Sequence, residues 1–219
     1  MFPYIDFTTT TVDQRGRADI LRRTYDSFAA NLQGVDLDSC RLYLNIDRGP
    51  DPVGYESLTN VAQEYFLHVV FNETQRACFP AAVRWLWSEP DEERFFHLED
   101  DWICREPINV PALHALLDAD AGLSCVNLRA YVHRPSTMGI CLSPGLWRTS
   151  HAKAIAATLT DDRDPELQLR EGKQGIYRGV QCPSDRSVIE DIGREFMAHN
   201  GLRKNMMNGH RLTAWETQA

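Results

Sequence analysis

Between residues 4 and 98 the chain switches repeatedly between two hydrophobic periods, and this alternation constrains the fold more than any other feature. "PYIDFTTTT" reads as a first strand that opens into a Thr-rich loop. The next twenty residues place Ile20, Leu21, Thr24, Phe28 and Leu32 at helical spacing, and Gly34 closes them. "RLYLNID" is a second strand ending in "RGPDPVG", whose Gly and Pro content makes it a loop. "ESLTNVAQEY" is a short helix and "FLHVVFNE" a third strand. "FPAAVRWLW" is a helix with large apolar residues, and "RFFHL" is a fourth strand. Strands alternating with helices predict a mostly parallel central sheet, built by right-handed crossovers and flanked by helices. Such sheets bind ligands at the carboxyl ends of their strands. The Thr loop, Asp47, Asn72, Glu73 and the residues just after "RFFHL" should therefore gather at one edge.

The fourth strand runs directly into Glu99, Asp100 and Asp101. Adjacent like charges repel, so the triplet needs a reason. One reading is a solvated turn, since Asp favours turns for local hydrogen-bonding reasons. A second is a divalent-metal site: Mg²⁺ or Mn²⁺ needs only one or two protein carboxylates when phosphates supply other ligands. A third is a general acid–base pair. Alternate residues of an extended chain point the same way. Glu99 and Asp101 would then share a side while Asp100 points across. The position after a fourth parallel strand favours the metal reading.

The second half is less regular. "NVPALHALLDAD" is a helix with Asn109 as its cap, and "LSCVNLRAY" is a strand. "TMGICLSPGLWRTSHAKAIAATL" reads as a strand, a Pro-Gly turn and a helix. "TDDRDPELQLREGKQG" is a charged loop with one helical turn. "SVIEDIGREFMAHNGL" carries Val188, Ile192 and Phe196 at helical spacing. The tail after it either folds over the site or frays.

"HLEDDW" after a βαβαβ pattern resembles the metal motif of the GT-A-fold glycosyltransferases, a loose D-x-D often written E-D-D. "FTTTTVDQRGRADILRRTYDSF" is similar to that family's opening strand and helix, where a Thr-rich loop and an Arg meet the nucleotide. "LNID" resembles its second strand, "FPAAVRWLW" the helix before the metal strand, and "SPGLWR" the glycine-bearing acceptor loop. The resemblance runs from about residue 4 to about residue 201 and is to small bacterial and bacteriophage members. It implies one α/β domain, a GT-A-like Rossmann-type sandwich. Residues 1–102 would form the nucleotide-sugar half and 103–219 the acceptor half. It implies a nucleotide-sugar donor, a UDP-sugar by expectation, and Mn²⁺ or Mg²⁺. Asp101 would ligate the metal, and Glu99 and Asp100 would reach ribose or metal-bound water. Thr9, Thr10, Thr11, Arg15, Asp47 and Gly145 would line the donor site, Gly145 through a tight turn beside the sugar.

An inverting transferase also needs a carboxylate that takes the acceptor proton. Asp164, Leu167 and Arg170 match the family's spacing for that base, and Glu166 stands two residues away. The alternative for both is a solvated charged loop. Many relatives end with a metal-binding His in a context like "QHIG"; here "VIEDIG" puts Asp191 there. Asp is also a hard-metal ligand, and a helix cap or solvated charge is its rival role. Arg15, at a helix start where a positive side chain opposes the helix dipole, suits a diphosphate. His97 reads as a packed polar residue. Trp102 and Trp147 read as core residues, with sugar stacking as the alternative.

With 23 Lys and Arg against 31 Asp and Glu, the net charge is −8, which argues against a general nucleic-acid-coating surface. A local basic run, Arg194, Arg203, Lys204 and Arg211, keeps phosphate contact open. The acceptor is then a hydroxymethylated base in phage DNA, or a saccharide, lipid-linked or small-molecule hydroxyl. A nucleotidylyltransferase on a related sheet is a rival, but "TTTTVDQRG" lacks the glycine-rich basic signature that grips a triphosphate. Six cysteines with no C-x-x-C pair read as reduced thiols. With no signal-peptide pattern and no run of ~20 apolar residues, the expected location is the cytoplasm.

Overall fold

The computed structural model describes residues 4–75, 77–129, 137–138, 141–171, 178–184, 187–207 and 210–217. The first half alternates as the sequence indicates: β1 (Asp6–Asp13), α1 (Arg17–Asn31), β2 (Leu32–Gln33), β3 (Arg41–Arg48) and α2 (Glu56–Gln63). It continues through β4 (His68–Thr74), α3 (Phe79–Ser88) and β5 (Arg94–Glu99). A short return strand β6 (Trp102–Cys104) precedes β7 (Ile108–Asn109), α4 (Val110–Ala119), β8 (Leu123–Asn127) and β9 (Thr137–Met138). β10 (Gly145–Arg148), α5 (Thr149–Ala156), α6 (Pro165–Glu171) and β11 (Arg178–Gln181) come next. The chain closes with β12 (Ile189–Asp191), α7 (Gly193–His199), β13 (Leu202–Met207) and β14 (His210–Thr217).

The main sheet has eight strands in the order β4-β3-β1-β5-β10-β8-β11-β9. β4, β3, β1 and β5 are mutually parallel. β10 runs antiparallel to both β5 and β8, while β11 is parallel to β8. The expected α/β fold with a mostly parallel sheet is therefore present. Period-two alternation sorts the side chains to two faces. Phe7, Leu42, Leu44, Phe96 and Leu98 pack on one face with Leu21, Tyr25 and Phe28 of α1 and Leu58 and Val61 of α2. Tyr43, Phe95, Cys125 and Trp147 pack on the other with Val83, Leu86 and Trp87 of α3 and Ile155 of α5. Each such side chain, fully buried, contributes roughly 1.5–3 kcal/mol. Trp147 is therefore a core residue, its ring 4.3 Å from that of Trp87.

Several elements differ from the sequence reading, among them Leu32–Gln33, a short strand rather than the end of the first helix, and Gly145–Arg148, a strand rather than a turn. The Thr run is strand, not loop: Thr8–Thr11 hold register with β3, and Thr8–Thr10 with β5 on the other side. β-Branched Thr suits that pleated central position. "SVIEDIGREF" is a strand followed by a helix. The edge of β6 captures Ile189–Asp191 as an antiparallel partner, which overrides the helical spacing. The tail is a hairpin, β13 against β14. Part of the "LSCVNLRAY" strand, residues 130 and 131, lies outside the described residues. His97 is fully buried, its Nδ1 2.8 Å from the Thr8 hydroxyl and its ring edge-on to Trp87. Burial pushes its pKa down to about 3, which fits a packed neutral imidazole. No disulfide joins any of the six cysteines. No helix among the described residues is long and apolar enough to cross a membrane.

Candidate functional site

β5 delivers Glu99 to the carboxyl edge of the sheet, and Asp100 and Asp101 turn the chain back into β6. The three carboxylates have three different environments. Asp100 is only 3% exposed and points away from solvent. Arg17, at the first position of α1, grips it with both arms of its guanidinium: Nε donates to Oδ2 at 2.6 Å and Nη2 to Oδ1. The Thr11 hydroxyl donates to the same carboxylate, and the Thr24 hydroxyl donates to the Asp100 carbonyl at 2.7 Å. Burial pushes the Asp100 carboxyl up, and Arg17 and Thr11 oppose that push. Burial works against the Arg17 charge, but Asp100 and Asp101 outweigh it and hold the guanidinium protonated.

Asp101 is partly exposed. Its Oδ2 accepts from Arg17 Nη2 at 2.9 Å. Its backbone carbonyl accepts the Ile192 N–H at 2.8 Å, which brings the start of α7 against the turn. Gly193 lies directly on this side chain: a Cβ there would sit 2.1 Å from Asp101 Oδ2 and 2.7 Å from its Cγ. Glu99 accepts the Trp102 indole N–H on Oε2 at 2.7 Å.

These side chains open onto a cleft of about 150 Å³ lined by Glu99, Asp101, Asp164, Glu166 and Asp191, with Phe79, Trp102, Arg129, Arg194 and Met197. Five carboxylates singled out in the sequence, from three separate segments, therefore share one cavity. Asp164 Oδ1 caps α6 by accepting the Leu167 N–H at 3.1 Å. Glu166 Oε1 accepts the Leu142 N–H at 3.4 Å. Asp191 Oδ1 accepts the Gly193 N–H at 3.0 Å, and Arg194 pairs with its Oδ2 at 3.2 Å. The Arg129 guanidinium lies over the Trp102 ring, 5.2 Å from its centre. The cavity is below the ~300–1,000 Å³ of most small-molecule sites.

Other expected site residues lie elsewhere. Thr9 is fully buried, Thr11 is spent on Asp100, and Thr10 is half-buried beside Glu99 in the β1–β5 register. Asp100 is turned inward, which corrects the expectation of a ribose contact: its partners are Arg17 and Thr11. Arg15 is exposed and pairs with Asp51 at 2.9 Å. Gly145 is the first residue of β10 and has no positive φ. Its small size matters because a Cβ would lie 2.4 Å from the Val126 carbonyl oxygen of the neighbouring strand. Asp47, near the end of β3, belongs to a polar ladder in which Asn72 donates to Asn45 at 2.8 Å and Asn45 to Asp47 at 2.9 Å. Thr74 also donates to Asp47. Burial raises the Asp47 carboxyl, opposed by Thr74, Asn45 and the Cys78 N–H.

The residue that sequence reasoning missed is Arg17. The signal was present: an acidic triplet on a buried strand end requires a buried cation. Arg17 also has the same unfavourable place at a helix start that drew attention to Arg15.

No protein-family model matches the chain, and no curated protein matches it in sequence. Solved structures are similar in three dimensions. HddC from Yersinia pseudotuberculosis superposes with a TM-score of 0.57 at 12% identity, covering 86% of this chain and 94% of that one. The mannosyltransferase PcManGT from Pyrobaculum calidifontis, in complex with GDP-Man and Mn²⁺, gives 0.59 at 11% identity. That match covers 84% of this chain and 56% of the mannosyltransferase. A CMP:2-keto-3-deoxy-manno-octonic acid synthetase complexed with CTP gives 0.51 at 12% identity, covering 82% of this chain and 90% of that one. The fold is GT-A-like. In a GT-A-like sheet the carboxyl edge is the ligand edge, and here that edge carries the acidic cleft.

The donor set can be tested against a divalent cation. Among the described residues no three of His, Cys, Asp and Glu converge to form a complete shell. Mg²⁺ and Mn²⁺ do not need one, because diphosphate oxygens and water fill the remaining positions. Asp101 and Asp191 line the same cavity with hard oxygens. These two carboxylates are of the donor type that such a cation takes.

Proposed function

We propose that this chain is a metal-dependent glycosyltransferase that moves a sugar from a nucleotide sugar, a UDP-sugar in the first instance, to a hydroxyl acceptor. The observation that carries this reading is that Glu99, Asp101, Asp164, Glu166 and Asp191 all line one cleft in a GT-A-like frame. The five carboxylates outnumber Arg129 and Arg194 in the same lining, so a divalent cation would relieve the remaining repulsion, and a neighbour of the same fold holds GDP-Man and Mn²⁺. Asp101 and Asp191 would hold Mn²⁺ or Mg²⁺. When bound, the cation neutralises charge on the departing diphosphate. Glu99, whose Oε2 accepts the Trp102 indole N–H, would reach a ribose hydroxyl or metal-bound water. Asp164 or Glu166 takes the proton of the acceptor hydroxyl if the reaction inverts the anomeric centre.

The acceptor is either a hydroxymethylated base in duplex DNA or a saccharide, lipid-linked or small-molecule hydroxyl. The basic tail favours the first and the net charge of −8 the second. Affinity for duplex DNA measured at about 50 and 200 mM salt separates them: phosphate contacts give a steep fall, and a flat response removes DNA. A nucleotidylyltransferase is the second reading, supported by the CTP-bound neighbour of the same fold. Turnover assays decide between them. UDP release from UDP-sugars with Mn²⁺ supports the transferase. Pyrophosphate release from sugar phosphate plus nucleoside triphosphate supports the rival.

A further inference from the structure

Arg17 touches two separate parts of the chain from its place at the start of α1. It grips Asp100 with Nε and Nη2, and the same Nη2 donates to Asp101 Oδ2 at 2.9 Å. Its guanidinium also lies over the Phe196 ring of α7, 5.2 Å from the centroid. Phe196 packs with Ile20 of α1, Ile103 of β6 and Ile192 in a small apolar cluster of its own. Arg17 thus ties α1, the acidic turn and the helix after Asp191 to one point. The side chain is 3% exposed, too deep to serve as an incoming anion's surface contact.

Arg17 divides its contacts unequally between two carboxylates of the turn. Asp100 receives the bidentate grip, which fixes both position and orientation. Asp101 receives a single hydrogen bond from Arg17 on Oδ2, which sets its rotamer. Gly193 packs against Asp101 as well, so the carboxylate is held between a donor and a bare backbone.

We infer that Arg17 is a positioning residue that fixes Asp101 for a divalent cation, with Asp100 as its anchor rather than as a ligand. This inference rests on the metal–nucleotide reading of the cleft. Carboxylates that ligate metals depend on such supporting hydrogen bonds, and losing one costs roughly 10–100-fold in metal affinity. A lysine keeps the charge but loses the planar fork. It can reach Asp100 or Asp101 but cannot hold the two together.

The test measures nucleotide affinity by calorimetry, with and without millimolar Mn²⁺, using whichever of UDP and GDP binds the wild type more tightly. Arg17→Lys, checked for folding by circular dichroism, should keep the metal-free affinity. Its Mn²⁺-dependent gain should fall roughly 10–100-fold. Asp100→Asn, an isosteric change that removes the anchor's charge, should reduce the same gain. The double variant should be no worse than the weaker single, because both act through Asp101. A folded Arg17→Lys or Asp100→Asn protein with the full Mn²⁺-dependent gain overturns the inference and leaves the metal reading standing. A wild type whose nucleotide binding ignores Mn²⁺ overturns both. Should Arg17→Lys not fold, Asp100→Asn alone decides by the same gain.

Discussion

Replacing Arg17 by Met removes the guanidinium while keeping most of the side chain's length. Asp100 then loses two charge-assisted hydrogen bonds and keeps the one from the Thr11 hydroxyl. The side chains of Arg17 and Asp100 are 3% and 4% exposed, so water cannot replace what is lost. Breaking a buried ion pair by removing one partner costs about 3–5 kcal/mol. In a chain of about 150–250 residues each kcal/mol moves Tm by roughly 2–4 °C, so the expected fall is roughly 6–20 °C. The loss should also depend on pH in a stated direction. Burial raises the Asp100 carboxyl above its unfolded value, and losing Arg17 raises it further. The folded variant then holds more protons than the unfolded chain, so its stability falls as pH rises through the raised value. The gap between variant and wild type should therefore be wider at about pH 8 than at about pH 5. Differential scanning fluorimetry at both values reads this directly. Arg15→Met is the control, because Arg15 is exposed and its pair with Asp51 is a surface contact. If Arg17→Met and Arg15→Met melt together, the buried pair does not hold the turn and the reasoning fails.

The cleft and the sheet beside it yield three further outcomes. Gly193→Ala should leave Tm within a few degrees but push Asp101 aside, since its Cβ would sit 2.1 Å from Oδ2. Metal-dependent nucleotide binding is the readout, and an unchanged value would place Asp101 outside the metal site. Asp164→Asn keeps a capping side chain, so it should fold normally and lose roughly 10²–10⁴-fold in kcat. Glu166→Gln assayed in parallel assigns the base to whichever variant loses more, and full activity in both would exclude a base at this position. Gly145→Ala should lower stability by about 1–3 kcal/mol, because the neighbouring strand must shift away from a Cβ 2.4 Å from the Val126 oxygen. A thermal melt matching the wild type would show that the sheet relaxes without cost.

The first hundred residues were legible because each strand and helix there has its own period and its own terminator. Gly34, for example, has φ 83° and follows the helix closely, although α1 ends at Asn31 and the strand Leu32–Gln33 comes between them. The carboxylates were legible for a related reason: strand ends in an alternating fold fall on one edge. Chain direction alone thus brought Glu99 and Asp101 to the cleft that Asp164, Glu166 and Asp191 also line. Long-range partnership was not legible. Nothing local says that Asp100 meets Arg17, 83 residues away. Nor does it say that Arg15, two residues earlier, points to solvent. The Thr run looked like a loop because hydroxyls suggest turns, yet two flanking strands make it a central strand. "VIEDI" looked helical by spacing, and only the open edge of β6 decides otherwise. Gly145 was recognised as special for the wrong reason: its constraint is the neighbouring backbone, not a turn.

The central claim is that the acidic cleft binds a nucleoside diphosphate through a divalent cation. Calorimetric titration of UDP and GDP into the wild type and Asp101→Asn, each with and without Mn²⁺, tests it most directly. The account predicts that Mn²⁺ tightens binding of one nucleotide to the wild type and has no such effect on a normally folded Asp101→Asn protein. Equal affinity with and without Mn²⁺ in the wild type, or an undiminished Mn²⁺ effect in Asp101→Asn, would contradict it.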